Sequence, residues 1–109
     1  MNKVKPTDFA HALSNYFFEY LPVQKGLSEN TIKSYRDSMS LFLDYCEKER
    51  HLKREKLEIK SIDRSLVEDF LSWLEQEKGN SVATRNQRRI ALNTFFKYLQ
   101  YENPEYVLL

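Results

Sequence analysis

Little in this chain of 109 residues invites a sheet. It carries two glycines and three prolines, too few to supply the turns of a strand-rich fold. Its single cysteine, Cys46, has no partner for an internal disulfide. Two histidines, His11 and His51, stand forty residues apart. With one thiol and no glycine-rich loop, they offer no metal set, phosphate cradle or nucleophile beside a base. A basic-then-apolar leader is missing, and so is any run of about 18 apolar residues able to span a bilayer. Formal net charge is only +1, which by itself makes no electrostatic case for nucleic acid. A cytoplasmic, reducing setting is expected, with no cofactor, metal, membrane or small-molecule ligand.

What is present points to helices. An apolar fraction of 41% with seven Phe, seven Tyr and one Trp argues against disorder. Leu, Glu, Lys, Arg, Gln and Ser are abundant, and most of them favour the helical state. The length suits one domain spanning residues 1–109, with an ordered core expected over about 7–102. The expected fold class is all-α.

Apolar spacing sets out four helices. Thr7 can cap a first helix bearing Phe9, Leu13, Tyr16, Phe17, Tyr20 and Leu21, expected to end near Pro22. Val23–Leu27, with Gly26, reads as a connector. Ser28 can cap a second helix, ENTIKSYRDSMSLFLDYCEKE. There Ile32, Tyr35, Met39, Phe42, Leu43 and Cys46 share one face, and Asn30, Lys33, Ser34, Asp37 and Leu41 lie roughly opposite. Glu47–Lys60 mixes six bases with four acids and reads as a solvated helix end and loop. Asp63 can cap a third helix with Leu66, Val67, Phe70, Leu71, Trp73 and Leu74, ended at Gly79-Asn80, and Ser81 can cap a fourth. A loose arm is expected over Met1–Pro6 and an apolar tail over Glu105–Leu109.

The fourth helix, SVATRNQRRIALNTFFKYL from Ser81 to Leu99, has a divided character. Leu92, Phe95, Phe96 and Leu99 form a core stripe, whereas Arg85, Arg88 and Arg89 cluster near its start with Thr84, Asn86 and Gln87. Between Gly79 and Tyr101 the charge is +4, and between Ser61 and Glu77 it is −4. On composition alone the stronger reading is that these arginines solvate the helix or pair with the acidic third helix. Against it stands their clustering where first-turn N–H groups attract anions, beside side chains suited to phosphates and base edges. Tyr and Phe could stack on single strands, but their helical periodicity assigns them to the core. Cys46, in phase with Phe42 and Leu43, is expected as a small core residue, and His11 as an ordinary helix residue.

The segments LSENTIKSYRDSMSLFLDY, VEDFLSWLE and GNSVATRNQRRIALNTFFKYL, with a short NP segment after them, resemble the N-terminal core-binding domain of tyrosine recombinases of the phage integrase type. The likeness is greatest to integrases and transposases of bacterial mobile elements, and it covers roughly Phe9 to Pro104. It implies a four-helix orthogonal, SAM-like bundle that clamps one side of a recombination site in double-stranded DNA, opposite a C-terminal catalytic domain that should follow. It further implies contacts with other recombinase protomers on the DNA, the first helix being a candidate for that surface.

Carried over by position, the resemblance selects Asn30, Thr31, Lys33 and Ser34 on the second helix. On the fourth it selects Thr84, Arg85, Asn86, Gln87 and Arg88. Lys33, Arg85 and Arg88 are the expected phosphate contacts, and Thr84, Asn86 and Gln87 the expected readers of base edges. Arg89 stands where the family usually has an apolar residue, so either an extra phosphate contact or a local repacking is open. His51-Leu52-Lys53-Arg54 matches the family's catalytic His-x-x-Arg by letters only, in the wrong part of the chain. The competing class is a helical protein-interaction module that does not bind DNA.

Overall fold

The computed structural model describes residues 5–105. The expected arm therefore lies largely, and the apolar residues Tyr106–Leu109 wholly, outside the described residues. Four α-helices run through them: α1 Asp8–Asn15, α2 Glu29–Arg50, α3 Arg64–Gln76 and α4 Val82–Glu102, with no strand. Each starts at the cap expected from the sequence. Thr7, Ser28, Asp63 and Ser81 accept hydrogen bonds from the backbone N–H groups of Ala10, Thr31, Leu66 and Thr84. Such a cap satisfies an otherwise orphaned donor and contributes about 1 kcal/mol.

The helix ends repeat one device. Leu27 donates to the Leu21 carbonyl, Leu52 to Cys46 and Asn80 to Leu74. Each bond closes across a left-handed residue: Gly26 at φ 60°, His51 at φ 57° and Gly79 at φ 65°. This six-to-one closure captures a carbonyl that the helix leaves free. Glycine at two of the three positions meets the backbone requirement without a Cβ penalty.

The first helix departs from the expectation that it ends near Pro22. From α1 the chain continues as a π-helix over Tyr16–Gln24, with Pro22 inside it. In an α-helix the proline ring would clash with the carbonyl four residues back. The wider i→i+5 turn relieves that clash, and Lys25 closes the segment by donating to the Tyr20 carbonyl. The connector therefore shrinks to the few residues around Gly26.

Glu47–Lys60 is also more tightly held than a solvated loop. After α2 come two 3₁₀ turns, Arg54–Lys56 and Ile59–Ser61. Arg54 pins them back on α2: its guanidinium lies 2.6 Å from Asp44 and 3.1 Å from Glu47, and its N–H donates to Glu47 at 3.1 Å. Ile59 donates its N–H to Asp8 at the start of α1, 3.0 Å away. Between these anchors Leu57, Ile59 and Ile62 enter the core.

Two aromatic groups knit the bundle in pairs. Phe9 and Tyr16 meet Phe95 edge-on at 5.7 and 5.0 Å, joining the first helical segment to α4. Phe42 meets Phe70 edge-on at 5.4 Å, joining α2 to α3. Edge-to-face pairs of this kind add about 0.5–1.5 kcal/mol beyond area burial. Cys46 is fully buried, and burial pushes its thiol up to about 11, so it stays protonated and inert at neutral pH. Leu41, expected opposite the apolar face, instead packs half-buried against the core.

Candidate nucleic-acid interface

The two longest helices, α2 and α4, carry the candidate residues and begin alike. In Ser28-x-x-Thr31 the two hydroxyl oxygens lie 3.0 Å apart, and in Ser81-x-x-Thr84 the serine hydroxyl donates to the threonine at 3.1 Å. Thr31 and Thr84 are thus part of their caps. Just beyond them Asn30, Lys33 and Ser34 on α2, and Asn86 and Gln87 on α4, are exposed. Their side chains make no hydrogen bond within the chain among the described residues, which leaves them free for an external partner.

The three arginines turn back on the bundle, each differently. Arg89 reaches Glu68 of α3 through both terminal nitrogens, the second contact at 3.2 Å. Those hydrogen bonds hold the Glu68 carboxyl below its usual range and raise Arg89. Arg85 faces Glu75 of α3 at 3.7 Å, beyond hydrogen-bond length. Arg88 donates from Nη1 to the Ser38 hydroxyl of α2 at 2.9 Å and has no carboxylate partner among the described residues. Arg89, for which a phosphate contact or a repacking was open, links α3 and α4 in this structure. Pairing with the acidic helix accounts for Arg89 fully and for Arg85 loosely.

Hydrogen-bond geometry separates these cations. A part-exposed ion pair without hydrogen-bond geometry, such as Arg85 with Glu75, is worth no more than about 1 kcal/mol. A phosphate offering charge-assisted hydrogen bonds at under 3 Å can displace it. The Arg89 pair is as exposed but differs in having two hydrogen bonds that an exchange would break. Lys33 is exposed and starts with no partner to give up.

Ser38 was not legible as a site residue. Tyrosines and Cys46 aside, it is the one buried polar side chain among the described residues, 1% exposed, and its hydroxyl both donates to the Ser34 carbonyl at 3.2 Å and accepts from Arg88. Through it Ser34 and Arg88, candidates on different helices, are brought into one chain of hydrogen bonds. The available signal was a serine one residue before Met39, on the edge of the apolar face of α2. Arg88 falls in phase with Leu92 and Leu99, which fits an inward side chain, but its partner is a hydroxyl and not an acid.

The remaining chemistry-bearing residues have structural places. His51 is the left-handed residue that closes α2. His11 is exposed on α1, and Tyr98 is buried, accepting a hydrogen bond from Asn15. No group of three metal-ligating side chains occurs among the described residues, and none of their helices is long and apolar enough to cross a membrane.

An all-α bundle that presents two capped helices with outward polar residues defines a small helical domain with an open face. Residues 15–103 match the family described as the phage integrase N-terminal SAM-like domain; the chain belongs to that family. It is 35% identical over 102 residues to the "Putative integrase/recombinase y4rC" of Sinorhizobium fredii, covering 94% of this chain and 31% of that protein. A second protein of that organism, "Putative integrase/recombinase y4rD", is 32% identical over 95 residues, with 87% and 34% covered. The "Tyrosine recombinase XerC" of Leptospira interrogans is 28% identical over 87 residues, with 80% and 26% covered. The chain thus spans about a third or less of the length of these relatives. No solved structure matches it.

Proposed function

We propose that this chain is the DNA-contacting, site-recognising domain of a tyrosine recombinase, and that it acts in the integration or recombination of a mobile element. Strand breakage and rejoining belong, in this reading, to a separate catalytic domain, and the described residues only bind and position the site. The observation that carries it is the pairing of α2 and α4, both starting at a Ser-x-x-Thr cap and both presenting free polar side chains. Free N–H groups in two such first turns, with a cation nearby, suit a phosphate backbone. Lys33 and Arg85 meet phosphates, the latter by leaving Glu75. Asn30, Ser34, Asn86 and Gln87 reach for base edges or sugar-phosphate, and Thr31 and Thr84 hold the turns that aim them. Arg88 supports the face from behind.

The test is a titration of the chain with a duplex carrying the element's end sequence, at salt concentrations between about 50 and 200 mM. Salt-sensitive binding whose slope falls by about one with Lys33→Ala, and again with Arg85→Ala, supports the reading. Binding that is absent at low salt, or indifferent to both changes, removes it.

A second reading has one observation in its favour. Phe18 is 72% exposed beside a groove of about 420 Å³ lined by Phe9, Leu13, Phe17, Met39 and Leu43. An exposed ring beside an apolar groove is a surface that another protein chain can cover. On DNA that partner would be a neighbouring recombinase protomer, so the two readings describe two faces of one domain.

A further inference from the structure

We infer that Ser38 and Arg88 are positioning residues: together they set α2 against α4, and Arg88 serves the interface through this link and not as a phosphate contact. The inference rests on the DNA reading above. Among the described residues, the Arg88 Nη1 to Ser38 bond at 2.9 Å is the only side-chain hydrogen bond between α2 and α4. It continues through the Ser38 hydroxyl to the Ser34 carbonyl, within the α2 segment that carries Lys33 and Ser34. The guanidinium reaches into the seam through Nη1, which meets the Ser38 hydroxyl, and its Nε is enclosed by protein.

Close packing already limits sliding of one helix along the other, and the Arg88–Ser38 bond adds a directional constraint between two fixed points. A buried hydroxyl must also keep its partners, because leaving it unpaired costs more than the bond contributes. Ser38, with both donor and acceptor functions used at 1% exposure, therefore fixes one relative placement of the helices. That placement sets the spacing between Lys33 on one side and Asn86 and Gln87 on the other.

Salt dependence tells positioning from contact. With the 109-residue chain and a duplex of the element's end sequence, Ser38→Ala and Arg88→Ala are each expected to weaken binding by about three- to tenfold. The salt slope stays at the parent value, because no phosphate contact is lost. Ser38→Asp offers the same guanidinium an acceptor and is expected to restore parent affinity and slope. Ser38→Asn, an uncharged acceptor, provides the same check where a carboxylate in the seam prevents folding. A slope reduced by about one in Arg88→Ala or Ser38→Asp makes Arg88 a phosphate contact and overturns the inference. So does a lowered melting temperature with unchanged affinity, which leaves Ser38 a stabilising residue only. Failure of the parent chain to bind duplex at low salt removes the DNA reading and this inference with it; the other outcomes leave that reading standing.

Discussion

Both terminal nitrogens of Arg89 reach the carboxylate of Glu68, so α4 is latched to α3 where a free cation was one expectation. The latch makes stability depend on acid. The Glu68 carboxyl lies below its usual range, first because of the Arg89 hydrogen bond. A group lowered by folding contributes stability that is whole above its unfolded pKa, about 4.3, and disappears as pH falls through the lower folded value. Thermal melts should therefore show the parent above Glu68→Gln at pH 7, by less than about 1 kcal/mol for so exposed a pair. The two should converge once pH falls below the folded value, where Glu68 is protonated in both states. Parallel curves down to that pH would mean that the pair contributes nothing.

The same geometry separates Arg89 from Arg85 in binding. Arg89 is occupied at hydrogen-bond distance, whereas Arg85 stands 3.7 Å from Glu75. In salt titrations with duplex DNA, Arg89→Ala should leave the slope unchanged, and Arg85→Ala should lower it by about one. Equal slopes for the two variants would remove the distinction.

Helix closure gives a pair of opposite effects. His51 holds a left-handed backbone, which costs a residue with a Cβ about 1–2 kcal/mol. His51→Gly removes that strain but frees the unfolded chain, so a net gain of about 0.5–1 kcal/mol is expected. At Gly79, φ is 65° and a Cβ would meet nothing within 4 Å. Gly79→Ala should therefore cost about 1 kcal/mol through backbone strain alone. Urea unfolding of both variants checks the signs.

What the sequence made legible were the features that depend on near neighbours. Four caps, the acidic and basic helices and the core stripe of Leu92, Phe95, Phe96 and Leu99 follow from spacings within one helix. The passage of the chain through Pro22 was not legible, because a proline normally marks an end and the π register that admits it has no sequence signature. The acidic third helix was legible as a partner for Arg85 and Arg89, but not which carboxylate each meets, 10 and 21 positions away, nor the turn of Arg88 to a hydroxyl 50 positions away. Helical phase put Lys33 on the outer face of α2, whereas Asn86 and Gln87 were selected by the resemblance, carried over by position. The seam behind these residues, held at Ser38, depends on how two helices cross.

Phe18 provides a test of the second surface. It lies in the π-helical segment at 72% exposure, so its ring contributes little to the folded monomer. Phe18→Ser should change the stability of the isolated chain by less than about 0.5 kcal/mol, as surface changes usually do. If the groove beside it receives a neighbouring protomer, the consequence appears only where two chains lie side by side. On a duplex with two adjacent sites, the parent should fill the second site at lower concentration than the first. Phe18→Ser should bind both with the affinity that the parent shows for a single site. Gel-shift titrations on one-site and two-site duplexes measure both quantities. Unchanged cooperativity in Phe18→Ser would exclude this groove as the protomer contact and leave DNA binding by α2 and α4 untouched, since Lys33, Asn86 and Gln87 are absent from its lining.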